Sequence, residues 1–186
     1  MRSKHSNSES GVLNYLLQKV LTNADPITGV SNSLIEELCT AICVNKEKRF
    51  KGVYSADEIP ASLANPSKKI SNIIVNLSPS NQITTGLGHF VSIHIFPNQV
   101  KYIDPFGRPC TQPYVLSFLK LCARPVFYNQ KQIQNFDSKF CGLYAILYTA
   151  MFDRKYKLKI DFQDHGKKSN DAKCIRYLHE IINMRN

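Results

Sequence analysis

Two short β-rich runs, residues 90–96 and 100–103, are joined only by Pro97, Asn98 and Gln99, and the second stops at Asp104 with Pro105 behind it. Runs of this composition, separated by so tight a turn, pair as an antiparallel hairpin. Neither Pro105 nor Pro109 can donate to a central ladder, so the second strand must end abruptly at Asp104. Residues 73–77 ahead of the hairpin read as a buried strand, and residues 126–128 behind it as another. The intervening stretches are less regular. Residues 50–60, which hold Gly52 and Pro60, predict an ordered loop with a short extended piece, and residues 79–88 a loop rich in Ser, Thr and Gly.

Helical patterns flank this β-rich middle. Val12, Leu13, Leu16, Leu17, Val20 and Leu21 follow helical spacing. Ser33 and Glu36 form a capping-box pair ahead of Leu34, Ile35, Leu38, Ala41 and Ile42. Residues 113–121 read as a helix, Cys141 opens the strongest helical run (to Phe152), and a last helix covers about residues 170–184. Helices at both ends around a small central sheet predict an α+β fold with one domain over residues 11–186, behind a polar mobile tail at 1–10.

A chain of 186 residues with 43% apolar side chains can bury a sizeable core without covalent staples. No apolar run reaches the roughly 18 residues that a membrane span needs, and the tail has no apolar signal region. Cys39, Cys43, Cys110, Cys122, Cys141 and Cys174 show no CxxC or Cys/His zinc spacing, so no metal is expected. Without a secretory signal, free thiols in a reducing compartment are the expectation, and Cys39 and Cys43 suit core packing. The formal charge is +10. Basic residues cluster at Lys46, Lys48, Arg49 and Lys51, at Lys68 and Lys69, over residues 154–159, and at Lys167 and Lys168. Such a field attracts polyanions such as DNA whatever their sequence, and the same residues equally suit solvated helix ends.

Cys141 carries the candidate chemistry. A thiol nucleophile needs its thiolate favoured, which a helix N-terminus and a neighbouring imidazole supply. Cys141 stands where a polar loop gives way to an apolar helix, and Gly142 leaves room there for a substrate backbone. His89 opens the first hairpin strand and Asp104 closes the second, so both emerge on one rim of the sheet. There the carboxylate would orient the imidazole. His94, further along the same strand, suits a structural role. An oxyanion would need donors: the Cys141 N–H and a side-chain amide from Gln130, Gln132 or Gln134.

Gly88-His89-Phe90, then Tyr102-Ile103-Asp104-Pro105-Phe106-Gly107, then Gln134-Asn135-Phe136-Asp137-Ser138-Lys139-Phe140-Cys141-Gly142-Leu143-Tyr144 resemble the adenovirus-type proteases (adenain-like), in the clan of the ubiquitin-like-protein proteases. Residues 50–60 and Tyr128-Asn129 are similar to the proteases of adintovirus and Maverick/Polinton elements, and the resemblance spans about residues 50–152. It implies an adenain-like fold, His89 as base, Asp104 as acid, Cys141 as nucleophile and Gln134, seven positions ahead of the thiol, as oxyanion donor. It further implies a monomeric endopeptidase that cuts viral capsid or core precursors, in the virion and the host nucleus or cytoplasm. Stimulation by DNA and by an activating peptide is implied too, with Cys122 in the region of a cofactor-linked cysteine. The chain departs from many members in having Phe90 where they carry tryptophan, and from adenain in having an aspartate where it carries glutamate. An aromatic wall is expected to survive at Phe90. A deubiquitinase- or SUMO-protease-like isopeptidase with the same triad, and a DNA-binding virion component with a vestigial triad, are the competing readings.

Overall fold

In a computed structural model, which describes residues 6–22, 30–43, 49–65, 70–85, 88–154, 160–162 and 168–184, the expected hairpin forms the middle of a five-stranded sheet. The strands are β1 (Phe50–Ser55), β2 (Ser71–Asn76), β3 (Phe90–Ile95), β4 (Val100–Ile103) and β5 (Val126–Tyr128), in that spatial order. β3 runs antiparallel to both β2 and β4, with Ser92 opposite Ile103 and Ile95 opposite Val100 across the hairpin. The outer strands β1 and β5 join in parallel, so the sheet is mixed. Five α-helices accompany it among the described residues: α1 (Ser6–Thr22), α2 (Asn32–Ile42), α3 (Pro113–Leu121), α4 (Cys141–Arg154) and α5 (Lys168–Asn183). The fold class is α+β, as expected.

Alternation along the strands divides the interior into two layers. Ile73, Val75, Val91, Ile93, Ile95, Val100 and Tyr102 face a layer closed by Val115, Phe118 and Leu119 of α3. Ile74 and Phe90 face the other layer, built from α1, α2, α4 and α5. β2 and β3 are buried along their whole length because helices cover both faces. On the larger side β3 also presents Ser92 and His94. The His94 ring bonds to Asn72 Oδ1 at 3.1 Å and Ser92 Oγ at 3.0 Å and lies against Phe152 of α4, 4.2 Å between centroids. Burial, helped by the charge of Lys101, lowers its pKa to about 3, so His94 is a neutral structural group.

Several local expectations shift. α1 already includes residues 6–10, which had been assigned to the tail, while residues 1–5 lie outside the described residues. The cap of α2 is Ser31, whose Oγ accepts from the Leu34 N–H at 3.3 Å, and not Ser33, whose hydroxyl bonds to that of Ser31. The extended piece expected within residues 50–60 is a full edge strand, β1. All six cysteines are free and buried, and the thiols of Cys39 and Cys43 meet at 3.7 Å. Lys46, Lys48, Lys68, Lys69, residues 155–159 and Lys167 lie outside the described residues. No helix among those described is long and apolar enough to cross a membrane.

Gly142 has a role other than the one expected. A Cβ there would meet Ile35 Cδ1 of α2 at 2.6 Å, so the missing side chain admits core and not substrate. Gly142→Ala is therefore expected to destabilise the fold by about 1–3 kcal/mol in urea unfolding, the range for overpacking a tight core. Ile35→Val, which removes the obstructing methyl, should restore most of that loss; simply additive costs in the double variant would show that this contact is not the cause.

Candidate active site

His89 and Asp104 meet because the hairpin register brings the start of β3 and the end of β4 to one rim. The Leu77 N–H donates to the His89 carbonyl at 2.8 Å, which holds the backbone as it enters β3. His89 Nε2 lies 2.7 Å from Asp104 Oδ1. The same oxygen accepts the Phe106 N–H at 2.7 Å, so the carboxylate is aimed by its own turn. Asn129 grips the Asp104 backbone from the next chain segment. Its Oδ1 accepts the Asp104 N–H at 2.8 Å, and its Nδ2 donates to the Asp104 carbonyl at 2.6 Å.

The turn after Asp104 is closed by the Gly107 N–H donating to the Asp104 carbonyl at 2.8 Å. Gly107 has φ +67°, and a Cβ would come within 2.6 Å of the Lys131 backbone, so the position needs glycine on both counts. This close approach lets the Pro105 carbonyl accept two N–H groups, from Ile133 at 2.9 Å and Gln134 at 3.0 Å. Asn170 at the start of α5 holds the same loop from below, its Nδ2 donating to the Ile133 carbonyl at 2.9 Å. Gln134 is thereby buried, with Nε2 donating to the Ser138 carbonyl at 2.7 Å and Oε1 unpaired. Of its competitors, Gln132 spends its amide on the Gln134 carbonyl at 3.0 Å, and Gln130 is exposed.

Cys141 is the first residue of α4, and the first helical bond runs from the Tyr144 N–H to the Phe140 carbonyl. The N–H groups of Cys141, Gly142 and Leu143 therefore have no acceptor within the helix, and the dipole favours negative charge at this end. The Cys141 thiol neighbours the His89 imidazole closely enough to help raise its pKa, and the residue keeps 8% of its surface exposed. With Nε2 held by Asp104, Nδ1 is the ring nitrogen left for sulfur. The His89 side chain is 24% exposed. Burial alone would lower its pKa, but the hydrogen bonds to Asp104 and Cys141, and the charges of both, outweigh this and raise it to about 9. The site therefore favours the protonated imidazole at His89.

The structure thus brings His89, Asp104 and Cys141 together, and seats Gln134 on the turn that follows the acid. Cys122, 1% exposed at the end of α3, packs with the layer opposite α4, and burial raises its thiol pKa. A disulfide from it to a peptide would require that layer to open first. Phe90 does not wall the site: at 3% exposed it lies in the core beneath α4. The aromatic partner of the imidazole is Phe106, stacked on His89 with centroids 4.8 Å apart and planes at 20°. Phe106 and Asn129 are site residues that spacing alone did not single out. Each stood inside a quoted motif, beside Asp104 and Tyr128 respectively.

The raised His89 pKa is directly testable. An NMR titration of the imidazole is expected to show a midpoint near 9, well above the ordinary 6.5. Asp104→Asn and Cys141→Ala should each move it downward by removing a negative partner. A midpoint that stayed put in both variants would mean that neither group holds the proton. In comparisons with known proteins, no family model matches this chain and no curated protein matches it significantly.

Proposed function

We propose that this chain is a cysteine endopeptidase of the adenain-like type, with Cys141 as nucleophile. The observation that carries the reading is one imidazole bonded to Asp104 at 2.7 Å, with its pKa raised by that carboxylate and by the neighbouring thiol at a helix N-terminus. A structural histidine such as His94 is neutral and closed on all sides, whereas His89 is partly exposed and its pKa is raised. Capsid or core precursor proteins are the proposed substrates, on the strength of the sequence resemblance. DNA and an activating peptide are proposed partners on the same ground, and the +10 charge suits the former.

The proposed reaction is acyl transfer. The Cys141 thiolate attacks the scissile carbonyl carbon, and the pair of electrons displaced onto oxygen is stabilised by the Cys141 N–H and the second amide hydrogen of Gln134. His89 gives its proton to the departing amine as the C–N bond breaks. The neutral imidazole then takes a proton from water, whose oxygen attacks the thioester, and the thiolate leaves. Asp104 keeps the ring oriented and stabilises its charged form.

A fluorescent thiol probe should label the wild type far above Cys141→Ala; equal labelling would remove the nucleophile and the reading with it. Turnover of a precursor protein should vanish in Cys141→Ala and His89→Ala, while Asp104→Asn keeps a residual rate. Gln134→Ala should lose on the order of 10²-fold in rate, as single oxyanion donors do, and an unchanged rate would reassign that donor. Because protonated His89 supplies the proton to the leaving group, kcat/KM should fall as pH rises through about 9. Selective cleavage of ubiquitin-like substrates, with the precursor untouched, would turn the proposal toward an isopeptidase.

A further inference from the structure

The imidazole stack continues outward beyond Phe106. Phe136, on the loop ahead of the nucleophile, stacks on Phe106 with centroids 5.6 Å apart and planes at 21°. The Arg108 guanidinium lies over both rings, 5.1 Å from the Phe106 centroid and 5.6 Å from that of Phe136. Phe136 is 64% exposed, so it serves this stack and not the core. Arg108 is exposed as well, and among the described residues it forms no ion pair with a carboxylate. The buried acid of the same turn, Asp104, is engaged with His89 and the Phe106 N–H.

An arginine held against two aromatic rings has already lost much of its rotamer freedom, and an exposed guanidinium keeps N–H donors available to a ligand. That is the geometry that accepts a carboxylate in a two-pronged bond. The guanidinium is at most about 10 Å from the imidazole centroid, which an extended polypeptide covers in roughly three residues. A substrate chain threaded past the reacting thiol and imidazole would therefore pass within reach of this cation.

We propose that Arg108, presented on the Phe106–Phe136 platform, is a specificity residue that selects an Asp or Glu side chain of the polypeptide substrate, within about three residues of the scissile bond. The proposal rests on the endopeptidase reading and adds a substrate class to it. The stack explains why the loop ahead of Cys141 exposes a phenylalanine: without that ring the guanidinium would lose one of the two aromatic rings it contacts.

The test uses the full chain and a randomised peptide mixture, with cleavage sites read by mass spectrometry. Asp and Glu should be enriched about 10-fold over Asn and Gln at one position near the cut, the scale of one charge-assisted hydrogen bond. Arg108→Glu should replace that preference by one for Lys or Arg, Arg108→Lys should keep it in weaker form, and Phe136→Ala should blunt it. Circular dichroism would confirm that each variant is folded. Cleavage with no acidic preference, or with the same profile in Arg108→Glu, would overturn this inference and leave the endopeptidase reading standing. No cleavage of any peptide, together with no probe labelling above Cys141→Ala, would overturn both.

Discussion

One carbonyl group ties the candidate site together. The Pro105 oxygen accepts N–H groups from Ile133 and Gln134 and so joins the turn that ends β4 to the loop that leads into α4. Proline has no N–H of its own to compete for partners, and its fixed φ sets the direction in which that carbonyl points. The acid lies one residue before this junction and Gln134 is part of it. Both are therefore located by the same bonds. Gly107 permits the approach, since any Cβ would press on the Lys131 backbone, and Asn129 and Asn170 secure the two sides. Cys141 is placed separately, by the packing of α4 on β3 and on Ile35 of α2.

The arrangement separates two tasks. Rigid elements supply position: a sheet covered on both faces holds the imidazole, and a helix end holds the thiol. Loops supply the remaining groups, and their polar atoms are bonded to one another more than to the core. Electrostatics then follow from position. An imidazole with a carboxylate on one nitrogen and a thiol beside it keeps its proton, although burial opposes that. His94, on the same strand, has only neutral partners to set against burial, and the nearby charge of Lys101 adds to it, so it loses its proton.

Much of this was legible in the sequence where period or proline spoke clearly. The hairpin showed in two apolar runs and a three-residue turn. α3 showed in the helical pattern of residues 113–121, and His89, Asp104 and Cys141 stood out in the order of their motifs. What escaped was whatever depends on contact between distant segments. β1 contains Lys51 and Gly52 and pairs in parallel, so its own residues suggested only a short extended piece and not a full strand. Ser31 and Ser33 are equivalent by propensity, and only the entry direction of the chain decides which one caps α2. Gly142 and Phe90 looked like parts of the cleft because they adjoin Cys141 and His89. Helix and strand geometry turns both inward. Arg108, Phe106 and Phe136 come from two loops, and their stacking has no sequence period at all.

The two histidines of β3 and its entrance also give the folded chain a proton balance. The His94 pKa lies well below 6.5, so unfolding under acid takes up a proton there, and this group's contribution to stability shrinks as pH falls from about 6.5 toward 3. The His89 pKa lies well above 6.5, so unfolding under alkali releases a proton, and its contribution shrinks as pH rises from about 6.5 toward 9. Two imidazoles separated by a few residues thus push in opposite directions, and between them they favour the native state most strongly near neutrality. His89 at the candidate site and His94 in the core act together as a buffer on the fold itself.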